Sequence, residues 1–460
     1  MAARRVEPGS ADGGGAGGRP PSRARVAVVG SGIAGLGAAH ALMRRCGAAL
    51  DLVLYEAGRH FGGHTHTVDV TLEGRRFGVD TGFLVYNERT YPRLIALLAE
   101  LGVPVAKSDM SFSVMRRDTG LEWNGSNLNS VFAQRSNLLR PRFWHMLAQI
   151  LRFNREATQL ARGAAGSIPD VTVGAWLRER GYGAALRDDY LLPMIGCIWS
   201  CPTAQMLEFP LATLLRFCDN HGLLQVEGRP QWYTVQGGAR HYVERIVAQL
   251  ADARLGWPVT AVERLAGGGV AVHSARGGVE HYDAVLLACH SDQALALLGT
   301  GVNAAERAAL GAIGYQPNQA WLHTDSSLLP RRRLAWAAWN YDFAGVGHER
   351  QAVCLHYLLN KLQPLPVATP LVVSLNPWRE PAAETVLARI DYAHPVFDRA
   401  AIAAQARFAA LQGEGGVHFA GAWLGYGFHE DGLASGQQAA ERIAASLHAR
   451  GLLPAAGVGA

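Results

Sequence analysis

A chain of 460 residues with 49% apolar content carries enough hydrophobic material for a large core and more than one domain. Its formal net charge of +5 is a mild excess, with no basic face interleaved with aromatic residues, which argues against nucleic-acid binding. The six cysteines, at 46, 197, 201, 218, 289 and 354, are too scattered for a disulfide framework and have no zinc-type spacing. They read as buried free thiols in a reducing cytoplasm, and no metal site is expected.

Residues 1 to about 24 are dominated by Gly, Ala, Pro, Ser and Arg, a composition that buries nothing and is expected to be a disordered tail. It has no signal-peptide core, and no run of ~18 apolar residues suggests a membrane span. Val26 to Val29 then reads as a buried parallel strand. It runs into Gly30-x-Gly32-x-x-Gly35, a helix to about Arg45, and a second strand from Leu50 that ends on Glu56, 21 residues past Gly35. Gly30 permits the tight turn, Gly32 lets backbone approach a pyrophosphate, and Gly35 lets helix pack on strand. The helix N-terminus faces the phosphates, and Glu56 is placed to accept ribose hydroxyls. Strand, turn, helix, strand and terminal acid in this order predict a dinucleotide site. Gly62-Gly63 follows at a spacing that lets backbone pass beneath a second part of the cofactor, and Asp80-Thr81-Gly82 ends a short strand in a glycine turn.

Residues 88 to about 230 are helix-rich. Pro92 to Leu101 is an amphipathic helix, Gly102 to Val105 returns as a strand, and Ser111 to Gly120 suggests a hairpin. Over 143–163, Phe143, Met146, Leu147, Ile150 and Leu151 recur at helical spacing, with Arg142, Arg152, Arg155 and Arg162 mostly elsewhere on the wheel. Such a basic amphipathic helix suits either a core-facing role with solvated Arg residues or contact with an anionic membrane surface. The uncharged stretch Leu191 to Pro202 suits equally a lipid-like pocket wall and plain core. Further on, Val270 to Ser274 and Asp283 to Cys289 are strands, and His290 reads as a loop residue. Arg331-Arg332-Arg333 reads as a solvated surface run. Ala335 to Tyr341, Val353 to Leu359 and Leu371 to Leu375 have strand character, with Trp339, Tyr341, His356, Asn360 and Lys361 on or beside them. The chain closes on a glycine-rich stretch from Gly416 to Gly436 and a helix through Gln437 to His448.

The order GxGxxG, terminal acid, Gly-Gly and Asp-x-Gly resembles the flavin amine oxidase and phytoene desaturase superfamily. The resemblance covers residues 25 to about 447 and implies bound FAD. It implies an α/β fold: a discontinuous Rossmann-like FAD-binding domain of the glutathione-reductase type, plus an α+β substrate domain with a mixed sheet over the flavin and a helical part. The cofactor domain would comprise 25–87, 232–300 and 395–449. The substrate domain would comprise 88–231, its helical part, and 301–394, its sheet part, with 450–460 a disordered tail. Cofactor contacts implied early in the chain are Gly30, Gly32, Ile33, Ala34 and Gly35, then Glu56 and Ala57. Gly62, Gly63, His64, Thr81 and Gly82 follow, His64 standing where the family usually has Arg. Val259 matches a valine that meets the adenine part through its backbone. Gly421, Asp431, Gly432 and Leu433 match the returning strand and the helix whose N-terminus points at the flavin ring. That helix end supplies N–H groups and positive potential for a reduced, anionic flavin.

Trp423 to Gly432 and Asp80 to Asn87 are further similar to a bacterial branch of the superfamily linked to cyclopropane and methyl-branched (furan) fatty acid modification. This resemblance implies desaturation of a methyl-branched fatty acyl chain, with His429, Tyr426, Tyr86 and Lys361 as candidate catalytic residues. A flavin amine oxidase releasing peroxide is the alternative, and His429 stands where such enzymes commonly place an aromatic residue. A non-redox flavin-dependent isomerase or a lipid-handling partner protein is the third reading. The expected partners are a lipid-like acyl substrate, the inner face of the membrane through the Arg-bearing helix near 143–163, and a redox or lipid-modifying enzyme. The expected location is cytoplasmic, peripheral to the membrane if bound there.

Overall fold

Strand Ala24–Val29 lies at the centre of a five-stranded parallel sheet. The computed structural model describes residues 23–454, except 165, 201, 226 and 346–352. The sheet order is Asp252–Leu255, Leu50–Glu56, Ala24–Val29, Ala284–Leu287 and Val417–Phe419. Three distant stretches of chain therefore build one sheet. Apart from Arg25 near its start, the central strand is apolar because both of its faces are covered. Val26 and Val28 pack on the side of helices Ile33–Cys46 and His429–Ala449. Ala27 and Val29 pack toward Val262, Val272 and Tyr282 of a three-stranded antiparallel sheet, 259–282.

A second, seven-stranded sheet runs in the order Val386–Val396, Gly314–His323, Val372–Leu375, Cys354–Leu358, Trp339–Phe343, Phe112–Arg116 and Leu121–Asn124. It is mixed because Trp339–Phe343 pairs parallel with Phe112–Arg116, while its other pairings are antiparallel. The hairpin expected around 111–120 thus joins a sheet made mostly by residues two hundred or more positions later. Its two longest strands, Gly314–His323 and Val386–Val396, lie in stretches to which the sequence assigned no strand. Helices between 128 and 220 pack on this sheet, and the core there includes Phe143, Met146, Trp176, Leu191 and Ile195.

Several local expectations shift. The strand expected from Gly102 starts at Val105. Ala24 already belongs to the central strand, and Leu453 is buried against the helices of the parallel sheet, so the packed chain reaches past both edges drawn for the tails. The rest of those tails, 1–22 and 455–460, lies outside the described residues, as does Cys201. Cys197, Cys218 and Cys354 are buried free thiols. Arg332 is not free in solvent: its guanidinium meets the buried Glu122 carboxylate at 2.9 Å, which also accepts the N–H groups of Arg331 and Arg332.

A buried charge cluster joins helix Pro141–Arg162 to the mixed sheet. Asp189 accepts from Arg116 at 2.7 Å and from Arg142 at 2.9 Å, while Asp118 holds the other side of Arg116 at 2.6 Å. Asp189→Ala leaves Arg116 buried with one partner instead of two. The expected loss is about 2 kcal/mol, below the usual cost of breaking a buried pair because Asp118 remains. A urea unfolding midpoint reads it, and an unchanged midpoint would contradict the account.

Candidate functional site

A cavity of about 1060 Å³ runs from the glycine turn of the parallel sheet to the underside of the mixed sheet and the helices around it. At its first end the backbone is shaped for a phosphate-bearing group. Gly30 has φ of 102°, and a Cβ there would stand 2.7 Å from the Ala288 carbonyl oxygen. A Cβ on Gly35 would overlap the Gly30 carbonyl oxygen, so helix Ile33–Cys46 can close on the turn only with glycine there. Nothing lies within 4 Å of the point where a Gly32 Cβ would stand. A side chain there would fill the cradle. The helix has no side-chain cap and no acid in its first turn, so its first N–H groups are left for an anion. Glu56 ends its strand at the same mouth, accepting from Ser31 N at 3.0 Å and Gly58 N at 2.7 Å.

The second glycine pair comes back over the first: a Gly63 Cβ would lie 3.1 Å from Gly32 Cα. His64 follows, half-buried on the cavity wall, with its shielded Nε2 lacking any partner. Its ring stacks on Tyr392, centroids 4.9 Å apart, with His394 at 5.3 Å and His290 at 6.4 Å. Burial holds the His64 imidazole well below its ordinary range, helped by the neighbouring histidines, and holds His394 down at about 4. At neutral pH these rings are uncharged and able to donate one N–H each.

At the other end, helix His429–Ala449 presents its N-terminus to the cavity through Phe428 and His429. Asp431 accepts from Phe428 N at 3.0 Å, closing that terminus like a capping box, and burial pushes its carboxyl up to about 6. His429 lines the cavity, but Nε2 is held by Thr65 Oγ1 at 3.0 Å and Tyr242 OH at 2.9 Å, and its ring stacks on Phe83 at 3.7 Å. Burial holds it down at about 3, so it is a neutral, fixed wall.

Of the residues singled out from sequence, the cavity brings together Gly30, Gly32, Ile33, Ala34, Glu56 and Ala57. It adds Gly62, Gly63, His64, Thr81, Gly82, Val259, Gly421 and His429. Gly35, Gly432 and Leu433 do not line it: Gly35 packs against the Gly30 turn and Ala288, while Leu433 and Gly432 sit where the first and last helices press together, Leu433 against Gly37 and Gly432 against Ile33. Asp431 acts through the backbone of Phe428. Tyr86 is buried behind the wall, stacked on Tyr233. Tyr426 accepts from Trp199 Nε1 through its carbonyl rather than facing the cavity. Lys361 is half-exposed and pairs with Asp109 at 3.3 Å, away from the lining.

The structure adds residues that sequence reasoning passed over. His290, expected to be a loop residue, lines the cavity and stacks on Tyr315 at 4.3 Å. Tyr392 and His394 enter from strand Val386–Val396. Their i, i+2 spacing, which puts both on one face of a strand, was the available signal. The same alternation splits Cys354–Leu358: Tyr357 faces the cavity, while Cys354 and His356 face away. Cys354, His356 and Asp342 offer donor atoms within 4.8 Å of one another. That cluster is already satisfied, since Arg117 grips Asp342 at 2.5 and 2.9 Å and Ser374 Oγ lies 2.6 Å from His356 Nδ1.

An open cradle at Gly32, an uncapped helix start, a ribose-side carboxylate and a second helix N-terminus opposite fit a flavin dinucleotide. Residues 33–342 match the family described as flavin containing amine oxidoreductase. The chain belongs to that family, and its site fits FAD. AofH of Mycobacterium tuberculosis, a flavin-containing monoamine oxidase by its assigned name, is 27% identical over 277 residues. That match covers 57% of this chain and 56% of AofH, so the chain spans about half the length of this relative. Among solved structures, cyclohexylamine oxidase from Brevibacterium oxydans superposes with a TM-score of 0.64 at 18% identity, over 93% of this chain and all of that one (100%). A fatty acid isomerase from P. acnes that produces CLA superposes with 0.63 at 15% identity, over 91% and 98%. At such identities the likeness is one of fold. Among the described residues no helix is long and apolar enough to cross a membrane.

Proposed function

We propose that the enzyme takes hydride from a lipid-like substrate and desaturates a fatty acyl chain, with methyl-branched chains the preferred class. Bound FAD supplies the hydride acceptor. The rest is placement in a dry site, which this chain supplies through neutral, tied-down side chains such as His429 and Phe83.

One observation carries the reading. Beyond the cofactor half, the cavity is walled by side chains such as Leu147, Ile150, Met194, Ile198, Phe217 and Trp339. Among the described residues its charged lining consists of Glu56, on the ribose side, and Arg229. A protonated amine would therefore meet no carboxylate beyond the cofactor half and one like charge. An uncharged chain meets a wall that suits it.

The similarity to AofH favours the second reading, a flavin amine oxidase. The two separate in one experiment. Purified flavin-loaded enzyme is mixed without oxygen with methyl-branched acyl substrates and, separately, with a panel of primary and secondary amines. Flavin bleaching by the acyl substrates, with an unsaturated product by mass spectrometry, is the expected result. Bleaching by amines alone, with peroxide released on readmitting oxygen, would overturn it. Product formed with no flavin reduction at any stage would point instead to isomerisation.

A further inference from the structure

We propose that the cavity opens onto an anionic lipid bilayer, which seats against the face formed by residues 128–151. The proposal rests on the acyl-chain reading for its purpose, but not for its test.

Among the described residues ten large apolar side chains are exposed, and five of them, Leu128, Leu138, Leu139, Trp144 and Leu151, fall in this one stretch. Leu139 is 87% exposed and Leu128 79%. They are one surface, not scattered positions. Trp144 Nε1 donates to the Leu138 carbonyl at 2.9 Å, and its ring lies 5.2 Å from Phe132, which is one turn from Leu128. Leu128 and Leu151 also line the cavity, together with Val131, Leu147 and Ile150. The outer apolar surface is thus continuous with the interior. An exposed apolar patch that leads into an apolar cavity marks a route for something apolar.

Charge chooses the occupant. Residues 123–155 contain five arginines and no Asp or Glu; Arg142 and Arg152 are paired with Asp189 and Glu156, and Arg135, Arg140 and Arg155 have no carboxylate partner among the described residues. The turn Arg333–Ala335 packs beside Leu128–Val131 and adds exposed Leu334 with Arg331 and Arg333, Arg332 being paired with Glu122. Leucine and tryptophan set among arginines is the pattern of an interfacial segment that dips into acyl chains while its cations meet anionic headgroups. A water-soluble partner or a second copy of the chain would have to match both the apolar patch and the surrounding positive charge. The sequence places this contact on the helix near 143–163. The structure moves its centre to the turn before that helix and to the helix's first half.

The test uses flavin-loaded full-length protein and vesicles of phosphatidylcholine, with and without phosphatidylglycerol. Sedimentation is expected to show at least about tenfold tighter binding to the anionic vesicles, weakened by added salt. The double variant Leu138→Glu, Leu139→Glu lies off the cavity lining and should keep its flavin spectrum while losing about tenfold or more of that binding. Equal binding to both vesicle types, no binding, or unchanged binding by the double variant overturns the proposal. A dimer that the double variant abolishes, with no vesicle binding, assigns the face to a second copy. Because sedimentation involves no turnover, failure of the acyl-chain reading leaves this result standing.

Discussion

Gly436→Ala is expected to strip the enzyme of its flavin. Gly436 lies in the middle of helix His429–Ala449, where that helix crosses helix Ile33–Cys46. A Cβ there would overlap the carbonyl oxygen of Ala34, a backbone atom that cannot turn aside. The two helices would have to move apart, and both aim their N-termini at the cavity. Alanine is the better helix former by about 1 kcal/mol, so local propensity would favour the variant. Overpacking of this kind costs about 1–3 kcal/mol, and contact with rigid backbone puts it at the upper end. The expected result is a flavin-to-protein ratio near zero after gel filtration and a urea midpoint lowered by the equivalent of about 3 kcal/mol. Gly432→Ala is the internal control. Its Cβ would stand 2.7 Å from Ile33 Cγ2, the end of a side chain, which can rotate away. Its loss should be clearly smaller. Full flavin retention by Gly436→Ala would show that the helix pair does not set the cofactor site.

Gly436 also shows where sequence reading stops. The turn at Gly30 to Gly35 and the acid at Glu56 are legible because strand, turn, helix and strand are neighbours in the chain, and their geometry demands glycine at fixed offsets. The glycines of the last helix carry no such local demand. Nothing in Gly432-x-x-x-Gly436 says which helix will cross it, and only the fold brings it to Ala34 and Ile33. The same limit explains Tyr392 and His394. They reach His64 across more than three hundred residues, on a strand whose partner, Gly314–His323, is some seventy positions away. Lys361 attracts notice in the sequence because it lies at a strand end in the substrate half. Asp109, brought in by the early hairpin region, draws it to the surface. The apolar stretch 191–202 suits core and pocket wall alike by composition, and it divides by face: Leu191 and Ile195 are core, while Met194, Cys197 and Ile198 line the cavity.

Acid should stabilise the flavin-free protein through Asp80. This carboxylate ends strand Arg75–Asp80 and is buried. It accepts from Thr67 Oγ1 at 2.5 Å and from Ala239 N at 2.9 Å. Those bonds favour the charged form, but burial outweighs them and pushes the carboxyl from 3.8 up to about 6. A raised acid binds its proton more tightly folded than unfolded. Its stabilising contribution is therefore present in full below about pH 4 and lost as pH rises through about 6. A hundredfold tighter hold on the proton corresponds to about 3 kcal/mol. Asp80→Asn removes the titration and keeps an oxygen for Ala239 N. The urea stability of wild type relative to the variant should fall by about 3 kcal/mol between pH ~4 and ~7. Using the difference cancels the other buried acids, Asp431 among them. The consequence reaches the cavity: Ala239 opens the turn into helix Arg240–Val247, whose Tyr242 holds His429. If the ionised carboxylate above pH ~6 is what keeps that turn in place, the variant should bind flavin less well at neutral pH even though it unfolds no more easily. A difference that is flat with pH, or that rises with it, would show that Asp80 is ionised throughout and that its hydrogen bonds, not its burial, set its charge.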